Sequence, residues 1–309
     1  MLAPSVERAV GSAHEFGIAA RDRYPSYIDF LAERSGIRVP LNRRGILQVA
    51  LTGNGVKGLK KTAPPTALWL DTKELRDLEP ALAHGVGAMF NPDDGAVDNT
   101  VLLSALKKLV STSSRIRMLN DAVAGVETHH SSASVHTTSG TRHTAGHVIL
   151  AAGAWVGGIL GARLGGAVTP ARGQLVSFST SPLTHVAYGP SGYVVPRGDS
   201  TIGGSTMENV GFDAATTVKG IEKVRAAAME ICPSLSLSSA TRAWAGLRPI
   251  TPDMLPIIGP DPEHPSVIYA CGHSRNGVLM APLTGDLIAD LVTGTPLSFD
   301  VSQFRPDRF

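Results

Sequence analysis

The chain has 309 residues, 43% hydrophobic and 17% charged, with 28 Lys and Arg against 26 Asp and Glu for a net charge of +2. That is long enough for two domains or one large one with a sizeable core, and too evenly charged to point to nucleic acid or an anionic membrane. No apolar run approaches the ~20 residues that span a bilayer, no charged segment followed by an apolar core marks export, and a cytosolic protein is expected.

Taken in chain order, residues 5–35 carry apolar positions at helical spacing (Phe16, Ile18, Tyr24, Tyr27, Ile28, Leu31), with Pro25 kinking or restarting the helix and Gly36 breaking it. Residues 39–51 read as strand with a turn at 42–45. Gly53-Asn54-Gly55-Val56-Lys57-Gly58 is a literal Gly-x-Gly-x-x-Gly after a strand, and Asp71 closes the next apolar run. A dinucleotide fingerprint is rejected there. The helix would have about two turns before Pro64-Pro65, rich in lysine, and the acid arrives short of the usual ~20 residues. A surface turn is expected instead. Residues 71–82 form a short helix. The run Pro92-Asp93-Asp94-Gly95-Ala96-Val97-Asp98 follows a strand and leads to a helix over 100–110, capped by Asp98 or Asn99; it is assigned no chemistry.

Residues 123–152 alternate as a β-meander with a turn at Ser139-Gly140. The histidines His129, His130, His136, His143 and His147 fit no standard metal spacing and read as exposed meander positions. After His147, residues 148–152 are apolar throughout and end at Gly153, the pattern of a buried parallel strand. Residues 169–206 are antiparallel in character, residues 217–231 an amphipathic helix stopped by Pro233, and residues 240–250 a strand delivering Arg248. Cys232 and Cys271 are far apart and read as buried small residues. The tail, 297–309, is expected on the surface.

Residues 244–285 are the most informative stretch. Arg248 and Arg275 lie in apolar, glycine-rich surroundings. A short buried strand at 267–270 runs into the turn Gly272–Gly277, and Leu279, Leu283, Leu287 and Leu291 then follow at helical spacing. Strand, glycine turn and helix N-terminus together aim backbone N–H groups and a positive dipole end at an anion or an electron-rich ring. Without further information any αβ turn would read this way.

Trp-Ala-Gly-Leu-Arg-Pro at 244–249 and Gly-His-Ser-Arg-Asn-Gly-Val-Leu-Met-Ala-Pro at 272–282 resemble the C-terminal signature of the D-amino-acid-oxidase family of flavoproteins. Within it, they are most similar to the glycine oxidases of thiamine biosynthesis. Tyr-Val-Val-Pro-Arg at 193–197 and Gly-Gly-Ser-Thr-Met at 203–207 look like the same group. The resemblance implies an α/β fold: an incomplete doubly wound FAD-binding domain (1–35, 91–168, 251–309) with an antiparallel-sheet substrate domain (36–90, 169–250). It implies noncovalent FAD, a small amino acid or N-methyl amine oxidised to the imine, and molecular oxygen reduced to hydrogen peroxide. Oligomerisation is a family expectation only. Arg248 and Tyr193 would hold the substrate carboxylate, with Met207 and Met1 lining an apolar pocket. Ala122, Val123, Ala151, Ala152 and Gly153 would approach the dinucleotide, and His273, Arg275, Asn276, Gly277, Val278 and Leu279 the flavin ring. No metal is expected, and no side chain is assigned as acid or base.

Met1-Leu2-Ala3-Pro4 resembles a segment that in this family follows the first βαβ unit, the one carrying the Gly-x-Gly-x-x-Gly turn. Two explanations are entertained: a start placed at an internal methionine, favoured because everything downstream keeps the pattern, or a truncated, non-catalytic remnant unable to bind FAD. A quinone-linked amino-acid dehydrogenase of the same superfamily is the enzymatic alternative.

Overall fold

The computed structural model describes residues 1–7 and 11–309. The first helix, α1, runs Ser12–Ser35 with Pro25 inside it, and buries Phe16, Tyr24 and Leu31. Gly36 ends it at φ 72, and its N–H bonds the Ala32 carbonyl, a left-handed cap that glycine adopts without a Cβ penalty. The helix begins later than expected: residues 4–7 form a turn, and residues 8–10 lie outside the described residues. Residues 53–58, expected as a turn, open a nine-residue helix, α2 (Gly53–Lys61), whose Thr52 side chain accepts from the Gly55 N–H. Asp71 caps α3 (Thr72–Leu78) in a reciprocal capping box with Glu74. Asp98, not Asn99, caps α4 (Asn99–Thr112). Helices α5 (Val218–Ile231) and α6 (Gly277–Thr293) complete the set among the described residues.

The strands sort into two main sheets. Eight strands lie in the spatial order Ala240–Ile250, Thr169–Phe178, Ser200–Gly204, Tyr193–Arg197, Val186–Tyr188, Ile46–Ala50, Gly87–Asn91 and Leu68–Leu70. All pairings are antiparallel except Val186–Tyr188 with Ile46–Ala50. Helix α5 packs Val224, Ala228 and Ile231 against this sheet, on Val176, Phe178 and Val194. A second sheet has three strands, Ile257–Pro260, Val267–Cys271 and Val148–Leu150; the last two run parallel, with Val267 opposite Val148. The Val148–Leu150 strand is therefore parallel, as expected, but not fully buried. It lies at the edge of the sheet, its outer side is unpaired among the described residues, and Ile149 is 39% exposed. The meander Val123–Thr128, Ala133–Thr137 and Arg142–Ala145 is a separate antiparallel sheet.

Helices α1, α4 and α6 share one core with Phe16, Leu102, Leu283 and Leu287 at its centre. The tail joins it rather than lying on the surface. Phe304 is fully buried, 4.9 Å from the Phe16 ring, and Val301 is buried beside it. Three apolar side chains in six positions, Phe299, Val301 and Phe304, bury together once a 3-10 turn at Ser302–Phe304 brings them to one face. Cys232 and Cys271 are both buried and free, and burial pushes the Cys271 thiol up to about 12. Asp94, in the acidic run assigned no chemistry, is completely buried; it accepts from the Ser5 N–H and hydroxyl and from Arg21, so it ties the first turn to α1.

Candidate active site

Strands of the large sheet, the first residues of the chain and the start of α6 line a cavity of about 230 Å³ bounded by Met1, Glu7, Asn99, Tyr193, Arg197, Ser205, Arg248, Arg275 and Val278, among others. Strand register explains how distant residues meet there. Tyr193 is paired opposite Gly204, and a Cβ at Gly204 would stand 2.5 Å from the phenol oxygen, so only glycine lets the ring lie across the neighbouring strand. Arg248 lies on the edge strand of the large sheet, opposite Ala171. Its guanidinium crosses over Gly173, where a Cβ would lie 2.0 Å from Nη1. Nη1 donates to the Thr206 carbonyl at 3.1 Å and Nη2 to the Ser205 hydroxyl at 2.7 Å.

These partners are neutral. Among the described residues no carboxylate lies within salt-bridge distance of Arg248, whereas both other guanidinium groups of the cavity have one. Arg275 bonds Glu7 at 3.0 Å, and Arg197 stands 3.6 Å from Asp98. Burial, reinforced by the charge of Arg275, lowers the Arg248 pKa, against a favourable contribution from Tyr193. A guanidinium held in place with its charge uncompensated is a receptor for one carboxylate.

Helix α6 begins at this cavity. Asn276 makes no side-chain cap bond, and the first turn contains no acid, so the positive end of a 17-residue helix is left without an internal anion. Tyr24 secures the start by donating its hydroxyl to the Val278 carbonyl. His273 turns the other way: its Nε2 shares a hydrogen bond of 3.0 Å with the Thr284 hydroxyl, and burial lowers its pKa to about 4. It is neutral at physiological pH. Leu279 sends its side chain into the core.

A second concavity, about 550 Å³ and mainly apolar, lies along the exposed edge of the Val148–Leu150 strand. It is lined by Ala122, Val123, Ile149, Ala151, Ala152 and Trp155 among others, and Gly153 follows at φ 56. The residues singled out in the sequence thus divide. Tyr193, Arg248, Met1, Arg275 and Val278 meet in the cavity, and Ala122, Val123, Ala151 and Ala152 meet in the groove. Gly153, His273, Asn276, Gly277 and Leu279 flank these spaces without lining them. Met207 is away from both: it is 51% exposed, because its neighbour Thr206 takes the inward position and is 5% exposed. Glu7, Asn99, Arg197 and Ser205 line the cavity without having been assigned roles from the sequence. The Tyr-Val-Val-Pro-Arg and Gly-Gly-Ser-Thr-Met runs contain two of them, but Glu7 lies in the segment 5–35, whose sequence shows only a helical pattern.

Comparison with known proteins agrees with this geometry. Residues 1–291 match the family described as DAO, FAD dependent oxidoreductase. The glycine oxidase of Bacillus licheniformis is 30% identical, over 96% of this chain and 82% of its own length. The bifunctional protein ThiO/ThiG of Synechocystis sp. is 32% identical over the whole of this chain but only 47% of its own, so the chain spans about half the length of that relative. The crystal structure of glycine oxidase from Geobacillus kaustophilus superposes with a TM-score of 0.91 at 29% identity, covering 100% of this chain and 86% of that one. Sequence match and superposition together place this chain in the DAO family of FAD dependent oxidoreductases.

Proposed function

We propose that this protein oxidises glycine, or another small amino acid or N-methyl amine, to the corresponding imine, with noncovalent FAD as cofactor and molecular oxygen as acceptor. The observation that carries the proposal is the charge count of the 230 Å³ cavity: three guanidinium groups, of which only Arg248 lacks a carboxylate partner among the described residues. The balanced reaction removes two electrons and two protons from the amine as the C=N bond forms, and oxygen takes them up as hydrogen peroxide.

The residues present suit FAD at two places. The uncapped start of α6, beside Val278, offers backbone donors and a positive dipole end to an electron-rich ring. The groove at Ala122, Val123, Ala151 and Ala152 is mainly apolar, as a flat aromatic base requires. Bound FAD supplies the two-electron acceptor. We assign residues 1–35, 91–168 and 251–309 to the cofactor side and 36–90 and 169–250 to the substrate side.

The chain's own groups do the positioning. Arg248 binds the carboxylate through both Nη atoms, and Tyr193 donates its hydroxyl to the same group. Gly173 and Gly204 keep both side chains in register. Met1 and Val278 supply apolar wall, which strengthens the Arg248–carboxylate attraction by excluding water. Both cysteines are buried in apolar surroundings, and His273 is engaged with Thr284, which favours noncovalent cofactor binding.

The test is the absorption spectrum of the purified chain with FAD. Flavin bands that co-elute with the protein and bleach on anaerobic glycine or sarcosine are expected, with peroxide released on readmitting air. A protein that retains flavin but is unaffected by any small amino acid refutes the proposed substrate. Bleaching without peroxide, relieved by a quinone, refutes oxygen as acceptor.

A further inference from the structure

We infer that Glu7 sets the charge class of the substrate: by compensating Arg275 it restricts the site to monocarboxylates. The inference rests on Arg248 being the carboxylate anchor. Of the three guanidinium groups lining the cavity, Arg197 donates to the Asn99 side-chain Oδ1 at 2.8 Å and stands 3.6 Å from Asp98. Arg275 is held by Glu7 at 3.0 Å. One incoming carboxylate on Arg248 completes the balance of these three guanidinium groups. Among the described residues a second would meet no unpaired guanidinium in the cavity and would be repelled by Glu7.

Space is not what excludes a diacid. Glu7 and Arg275 also line a neighbouring chamber of about 490 Å³, together with Gln48 and Tyr188. The pair therefore stands between the two cavities. The Tyr188 hydroxyl, on the far side, is buried with no hydrogen-bond partner among the described residues, so a polar ligand atom entering that chamber would find a donor. The Glu7 side chain is only 12% exposed, so water screens its charge weakly, while Arg275 is 45% exposed and depends on Glu7 to stay at the junction. Removing the charge of Glu7 but not its volume leaves Arg275 as a second, unoccupied carboxylate receptor opening on both chambers.

Isothermal titration calorimetry of the FAD-loaded protein with glycolate, malonate and monomethyl malonate tests this without turnover. The unaltered protein is expected to bind glycolate, and to bind the monomethyl ester about tenfold more tightly than the malonate dianion, which has the same chain and one more charge. Glu7→Gln should improve malonate relative to glycolate by at least about tenfold, the scale of one charge-assisted hydrogen bond. Adding Arg275→Gln to that variant should abolish the gain. An unchanged malonate-to-glycolate ratio in Glu7→Gln overturns the inference, as does equal binding of malonate and its monoester by the unaltered protein should the variant fail to fold. Absence of glycolate binding by the unaltered protein removes Arg248 as anchor, and this inference with it.

Discussion

Gly173→Ala should cripple carboxylate binding while leaving the fold intact. Gly173 sits on the Thr169–Phe178 strand opposite Gly246, with no positive φ, so alanine is acceptable to the backbone. The added Cβ would lie 2.0 Å from Arg248 Nη1 and 2.4 Å from Cζ, against 3.4 Å for ordinary contact, and the guanidinium must retreat by about 1.4 Å. Its bonds to Ser205 and Thr206, now 2.7 and 3.1 Å, cannot both survive such a shift. Misplacing a bidentate clamp by about 1 Å costs on the order of 100-fold in catalysis, and losing one of two charge-assisted hydrogen bonds costs about 1.5–3 kcal/mol, or roughly 10- to 100-fold in affinity. The colliding atoms are the far end of a flexible side chain, so the melting temperature should move by no more than a few degrees. Calorimetry with glycolate and a thermal melt on the same preparations separate the two effects. Glycolate affinity within twofold of the unaltered protein would refute the geometry of the Arg248 clamp.

Replacing Arg248 by Met should lower glycolate affinity by about 100-fold or more, yet leave the melting temperature unchanged or higher, because a buried charge without an ionic partner is removed from the apoprotein; a marked loss of stability would show that the guanidinium has a structural role. His273, whose pKa is lowered to about 4 against an ordinary 6.5, binds its proton more readily in the unfolded chain. Its contribution is therefore complete above pH 6.5 and lost as pH falls toward 4, by an amount on the order of 2 kcal/mol by pH 4.5. Urea unfolding at pH 7 and 4.5 should show a smaller acid-induced loss for His273→Gln than for the unaltered protein. Phe304→Ala should destabilise by about 3–5 kcal/mol, measured by urea unfolding; a loss below ~1 kcal/mol would mean that the tail is not part of the core.

Local pattern in the sequence was enough for several parts of this protein. The helical spacing of Leu279, Leu283 and Leu287 after a glycine turn marks α6, and all three side chains are buried. The strand carrying Arg248 and the helix start at Asp98 or Asn99 were legible for the same reason: period, caps and turn residues act between positions a few residues apart. Tertiary structure alone decided the rest. Glu7 and Arg275 are 268 positions apart, and their bond depends on a turn and a helix start being carried together by different elements. Gly173 and Gly204 are ordinary strand glycines until register sets Arg248 and Tyr193 against them. Met207 and the tail were misjudged because composition shows that a residue is apolar without showing which face it takes: Thr206 claimed the inward position beside Met207, and Phe304 found an aromatic partner on α1. Periodicity is a property of one segment. The partner that buries a face, and the charge that balances a charge, belong to segments brought near only by the folded chain.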